Sequence, residues 1–368
     1  MLKSKIGTVE AIMLVLTIII VHTILSLPRD IVSAQKSASL LNLFYVSIIS
    51  IIITLIVYKL FKNFPGLDIL DISEIVGGKI FRNIVGIIFI TYFIFTASLL
   101  LRNFCDSIKV IYYPMTNIFF IILLFIIALC VANRLDFSAT LKTNLLIIPL
   151  VLGSILFLFL SNMQNFVPQR IFPIFGEGIF NTFVLGLTNL ASFGGIAFLY
   201  FLPPLLKEPE KFKKISLIST LVSAIYLLLC VATLLFIFPF FMKTNEITPL
   251  YNATRYIEFG RFFQRLDSIF LLIWILVFAC YLSIVSKFAM NMLKKILNIS
   301  TKKPLIDIFA LLILALALLP KNLAISQNFE SNIYPYLVIS IVFCLGLGIL
   351  IFANLAKRRE QKNKWLNY

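Results

Sequence analysis

Arg265 and Asp267 stand two residues apart at the head of RLDSIFLLIW (265–274), and an apolar run with a tryptophan follows at once. A charge pair of this kind can serve catalysis, bridge a surface or mark the edge of a membrane helix. The remaining chemistry-bearing residues narrow the choice. His22 is the one histidine, so no paired-histidine metal site can form. The chain has no GxSxG, Walker or HExxH sequence. Five cysteines (Cys105, Cys130, Cys230, Cys280 and Cys344) are scattered singly without CxxC spacing. They read as small packing residues rather than as a zinc site or disulfide framework. Hydrolytic and redox chemistry are therefore not expected, and no cofactor is implied.

What remains is a short set of ionisable side chains inside apolar runs, where a charge is costly and marks function by default. Arg102 and Asp106 are four apart and can pair on one helix face. Lys287 lies well inside an apolar run. Its stem can snorkel toward the cytoplasm, or its ammonium can take the place of a coupling cation. His22 can bond a ligand, hold freed carbonyls, couple to protons or make a structural bond to a neighbouring helix. Glu10 is placed to snorkel, and Asp307 to pair at the interface with Lys302 or Lys303.

The elements that position these residues follow from composition. The chain has 368 residues, 61% hydrophobic and 13% charged, with a mean hydropathy of +1.03. So much apolar surface needs lipid as solvent. The reading is an all-α integral membrane protein, one transmembrane permease-like domain over 1–368. Ten spans are expected, near 8–33, 40–61, 80–108, 116–133, 139–161, 179–205, 215–241, 267–297, 304–320 and 332–356. With both termini cytoplasmic, the cytoplasmic segments and the basic tail 357–368 hold about two-thirds of the basic residues, in keeping with the positive-inside rule. The net charge of +16 thus sits mostly in short loops and not in a basic-aromatic patch, so nucleic acid is not a partner. The first run lacks a signal-peptidase pattern. A short interfacial helix is expected at 252–263 on the outer side.

Two spans carry helix-breaking features. In the first, His22, Thr23 and Ser26 interrupt the apolar run and Pro28 follows. In the sixth, Asn189, Ser192, Gly194 and Gly195 interrupt, and Pro203–Pro204 follow. First and sixth hold the same place in two halves of five, the pattern of a 5+5 inverted repeat (about 8–161 and 179–356) with broken helices 1 and 6. Unwound backbone inside a membrane is tolerated where protein, water or ligand satisfies it.

At this point the residues suggest a family. HTILSLPRDI resembles the first-helix segment of the spore germination permease-like proteins. The stretch FKNFPGLDILDISEIVGGKIF matches their next pattern at Phe64, Pro65, Gly66, Glu74, Gly77 and Lys79. RLDSIFLLIW is similar to their Arg-x-acid-x-x-Phe-x-x-x-Trp signature, at Arg265, Asp267, Phe270 and Trp274. These proteins are the B subunits of nutrient germinant receptors, within the amino acid–polyamine–organocation (APC) transporter superfamily. The resemblance implies a spore inner-membrane subunit that binds a small nutrient, often an amino acid. It would work with an A subunit and a lipoprotein C subunit and signal germination. One departure is Val21 and His22 where the family has glycine at the first break, which implies a different ligand. By that fold the pocket comprises Val21, His22, Thr23, Tyr92, Thr96, Phe193, Gly194, Gly195, Val277 and Tyr281. Arg265 and Asp267 then anchor the eighth helix, with Asp267 in the first turn where the dipole favours an anion. A secondary amino acid transporter, proton-coupled or exchanging, is the alternative on the same fold.

Overall fold

Backbone N–H and C=O groups in lipid must be satisfied within the chain, which favours helices. In the computed structural model every regular element among the described residues is helical, apart from one isolated backbone bridge between Ile6 and Leu206. The structure describes residues 5–24, 27–239, 249–255, 257, 266–299 and 303–366, with backbone alone at 23–24, 266, 303 and 359–366. Among them seven helical stretches are long and apolar enough to cross a membrane, and three shorter apolar helices accompany them. Leu124, Leu146, Leu150 and Leu311 lie exposed on such helices, as lipid-facing side chains do. The molecule is an all-helical integral membrane protein.

The order is α1 (Thr8–Ile20), a 3-10 turn (Val21–Ile24), α2 (Leu27–Gln35), α3 (Ser39–Phe61), α4 (Ile69–Tyr112), α5 (Ile118–Arg134) and α6 (Phe137–Ser161). Then come α7 (Ile179–Phe183), a 3-10 run (Leu185–Tyr200), α8 (Phe212–Ile237), α9 (Pro249–Arg255), α10 (Leu266–Leu297) and α11 (Lys303–Leu318). The last helix is continuous but changes register. It passes through α12 (Leu323–Asn328), a π segment (Phe329–Ile333), α13 (Tyr334–Val338), a second π segment (Ile339–Gly346) and α14 (Leu347–Leu366). It begins well before 332, and the segment expected as a tail stays helical through Leu366. The outer helix expected at 252–263 is described only as α9, ending at Arg255; the rest lies outside the described residues.

Packing pairs distant parts of the chain. α1 packs on the 3-10 run, α3 on α8, α4 on α10 and α5 on α11. Polar contacts fasten the helix ends. Lys295 of α10 reaches Asp68 and Asp71 at 2.7 Å each, at the head of α4. Burial pushes the Asp68 carboxyl above its ordinary range, against the pull of Lys295. Ile6 N–H donates to the Leu205 carbonyl at 2.7 Å, and Lys207 N–H to the Ile6 carbonyl at 2.9 Å.

The two breaks take different forms. α1 gives way to a 3-10 turn at Val21, within the polar stretch. In the sixth span the chain stays helical as a 3-10 run, with its irregular backbone at Phe193 (φ −100°, ψ 21°). The expected unwinding at Gly194–Gly195 is thus a tightening. A Cβ on Gly195 would lie 2.5 Å from Ile19 Cγ1 and 3.1 Å from its backbone N, so this glycine permits close approach to α1. α4 bends at Gly77–Gly78, where Gly78 takes φ 73°, ψ −173°.

Candidate functional site

Stacked rings set the positions of the third, sixth and eighth spans. Phe93 of α4 stacks on Phe198 of the 3-10 run with centroids 4.4 Å apart, and Phe104 of α4 stacks on Phe278 of α10 at 4.4 Å. Tyr92 sits beside Phe93, and Tyr281 one turn beyond Phe278. Both are buried. His22, on the turn that ends α1, meets Tyr281 edge-to-face with centroids 6.2 Å apart.

These groups converge on a residue that the sequence does not single out. Tyr334 of the last helix stacks on His22 at 5.2 Å, and its hydroxyl lies 3.4 Å from His22 Nε2. Its hydroxyl also lies on the side of the Tyr92 hydroxyl. Gly194 lies where the two hydroxyls approach: a Cβ there would stand 2.9 Å from Tyr334 Oη and 3.1 Å from Tyr92 Oη. Thr96, one turn from Tyr92, is buried on the same helix. The cluster offers imidazole, phenol and hydroxyl groups, donors and acceptors that can read a polar ligand.

Of the remaining expected residues, Val21, Phe193 and Val277 are fully buried around this cluster's helices, and Gly195 serves packing against Ile19. The Thr23 side chain and all of Arg265 lie outside the described residues. Asp267 accepts from Tyr251 at 2.7 Å, and Tyr251 contacts Tyr112 at 3.1 Å, so this carboxyl ties the heads of α9 and α10 to the end of α4. Trp274 is fully buried, and its Nε1 has no partner among the described residues.

The charges find specific partners. Lys287 reaches toward the end of α5 and the first turn of α6: its Nζ donates to the Ala132 carbonyl at 2.9 Å and to Thr140 Oγ1 at 2.6 Å. The last turn of α5 leaves carbonyls without helical partners, and the buried ammonium takes one. Asp307 pairs with Arg134 at 3.6 Å, since α11 packs on α5. Glu10 turns back to accept from the Gly7 N–H at 2.9 Å, capping α1. The Arg102–Asp106 pair forms at 2.8 Å, and Arg102 also donates to the Ala317 carbonyl at 3.2 Å.

Sequence reasoning missed Tyr334 and the buried Asn103–Glu330 pair beside it. Tyr334 lies within the last helix just before Pro335, with no charge of its own to mark it. Glu330, four residues earlier, was the available signal, being a carboxyl near the start of an apolar run. No cluster of three or more metal-ligating side chains occurs among the described residues.

Comparison with known proteins gives one answer throughout. The family model described as "Spore germination protein" matches residues 5–325. Spore germination protein YndE of Bacillus subtilis (strain 168) is 24% identical over 97% of this chain and 99% of its own length. Spore germination protein A2 of the same organism is 29% identical over 77% of this chain and 76% of its own. With most of its length inside that match, the chain belongs to the spore germination permease family.

Proposed function

We propose that the chain is the nutrient-sensing, permease-like subunit of a spore germinant receptor. It crosses the spore inner membrane ten times with both ends cytoplasmic. It binds a small germinant such as an amino acid at the Tyr334 cluster and signals through A and lipoprotein C subunits.

The observation that carries this reading is convergence. Helices at the first, third, sixth, eighth and last places bring His22, Tyr92, Gly194, Tyr281 and Tyr334 to one buried point. The 5+5 plan draws support from the pairing of equivalent helices, first with sixth, second with seventh, third with eighth and fourth with ninth. The cross-links agree with the crossing count. Ile6 with Leu206, Lys295 with Asp68, and Lys36 with Glu177 each join points separated by an even number of spans.

Gly194→Trp in spores should abolish the response to one nutrient and spare responses through other receptors. Unchanged germination in every nutrient would sink the assignment of the pocket. Genes for A and C subunits are expected beside this one. Proton-dependent uptake of labelled nutrient by reconstituted protein would favour transport over sensing, because receptor and transporter share the fold.

A further inference from the structure

The 3-10 run and the last helix pack along one another and meet at two levels. The first level is the Tyr334 cluster. A Cβ on Gly194 would stand 2.9 Å from Tyr334 Oη and 3.2 Å from Val338 Cγ1. The second level lies further along both elements. There Tyr200 Oη donates to the Val342 carbonyl at 2.8 Å, and a Cβ on Gly346 would stand 2.5 Å from Tyr200 Cε2.

Tyr200 is fully buried, and its ring rests against Phe61 of α3 and Phe89 of α4, with centroids 6.4 Å and 6.2 Å away. Two other helices thus hold the ring, so its hydroxyl is presented at a set place. The acceptor belongs to the second π segment. There the N–H of Leu347, five residues beyond Val342, donates to the Cys344 carbonyl. A side-chain donor can take up a carbonyl of such an irregular turn, and in a protein interior neither group gives up the other without cost. Tyr334 and Val342 stand on one continuous helix. Any slide or rotation of that helix along the 3-10 run therefore breaks the Tyr200 bond and carries Tyr334 with it.

We infer that Tyr200 is a positioning residue for the Tyr334 cluster. Its bond to Val342 fixes where the last helix sits on the 3-10 run, and so where Tyr334 stands against His22 and Gly194. It acts through the helix and not by touching the ligand. The inference rests on the reading of that cluster as the ligand site, and it adds a residue outside the cluster that sets the cluster's dimensions. Gly346 belongs to the same device, since it leaves room for the Tyr200 ring beside the last helix.

The test uses His22, the one histidine of the chain, as a reporter inside the cluster. Full-length protein carrying isotope-labelled histidine, purified without a polyhistidine tag, gives a single imidazole in its NMR spectrum. The chemical shifts of that imidazole depend on the Tyr334 ring stacked on it and the hydroxyl beside it. Tyr200→Phe keeps the ring contacts, removes the bond to Val342 and should move the His22 signals away from their wild-type positions. Gly346→Ala should move them too, because its methyl presses on the Tyr200 ring. It serves as the second variant should Tyr200→Phe fail to yield folded protein. Thr54→Val is the control: it removes a buried hydroxyl contact of 3.1 Å to Thr220, between α3 and α8, and should leave the signals in place. Unmoved His22 signals in Tyr200→Phe and Gly346→Ala, or an equal displacement by Thr54→Val, would overturn the inference. In spores, Tyr200→Phe should raise the half-maximal nutrient concentration several-fold at an unchanged maximal response. A lowered maximum at an unchanged half-maximal concentration would show a merely structural role and overturn it as well. The spectroscopic readout is independent of germination. A silent Gly194→Trp would unseat the ligand site and leave displaced His22 signals standing, and unmoved signals would leave a Gly194→Trp phenotype untouched.

Discussion

At the scale of single residues, small side chains decide how closely the first and sixth spans approach. Gly195→Ala would set a Cβ 2.5 Å from Ile19 Cγ1, with the Ile19 backbone N 3.1 Å away and unable to rotate aside. Overpacking of this kind costs about 1–3 kcal/mol. The detergent-solubilised variant should therefore melt several degrees below wild type. Gly153→Ala is the control: nothing lies within 4 Å of its Cβ, and it sits inside α6. An equal effect at both positions would mean that crowding against α1 is not the cause. Tyr334→Phe addresses the site itself. It keeps the ring stacked on His22 and removes the hydroxyl that lies 3.4 Å from His22 Nε2. Nutrient sensitivity should fall while thermal stability changes by less than for Gly195→Ala. Germination dose-response curves check the first effect, and melts of the same variant check the second.

At the scale of elements, two helices depart from α geometry in ways a local change can probe. Gly78 sits at φ 73°, ψ −173°, a region open in practice to glycine alone, and its Cβ position faces open space. Gly78→Ala should thus cost about 1–3 kcal/mol through backbone strain and not through contact. Straightening of the kink would pull the head of α4 away from Lys295, so a Lys295→Ala variant should lose less on adding Gly78→Ala than wild type does. Additive losses in a double-mutant cycle would show the two to be uncoupled. In the last helix the second π segment leaves carbonyls out of register, and Tyr200 Oη donates to that of Val342 at 2.8 Å. Much of this architecture is legible in the amino-acid order. Hydropathy places α3, α5, α6 and α10 within a few residues, and His22 and Gly194 mark the breaks because polar or small residues interrupt apolar runs. The rest is not local. The irregular backbone at Phe193 and the π segments of the last helix carry no mark in the local residue pattern. Tyr334 joins His22 from 312 positions away, a contact no window of sequence contains.

At the scale of the molecule, the cross-links sort into two layers. Ile6 with Leu206, Asp68 with Lys295 and Asn63 with Lys357 gather at one end of the bundle; Lys36 with Glu177 and Tyr251 with Asp267 lie at the other. A chain that crossed the bilayer an odd number of times between partners could not make them. Ile6→Cys with Leu206→Cys should therefore form a disulfide on mild oxidation in membranes, seen as a cross-linked peptide by mass spectrometry. Absence of that product under conditions that oxidise a surface pair would contradict the layering. The π segments on either side of Tyr334 carry a further consequence, for the history of the chain and not for its energetics. A π turn is what a one-residue insertion leaves in an α-helix that must keep its outer contacts. Each residue turns an α-helix by about 100°. A residue gained or lost in this helix that no π turn absorbs would therefore re-aim one side of it by more than a quarter turn, and Tyr334 or Tyr200's acceptor would face different neighbours. The phase of this one helix sets which side chains meet the cluster, so an insertion or deletion there is a step by which ligand preference can change without a substitution at any contacting residue.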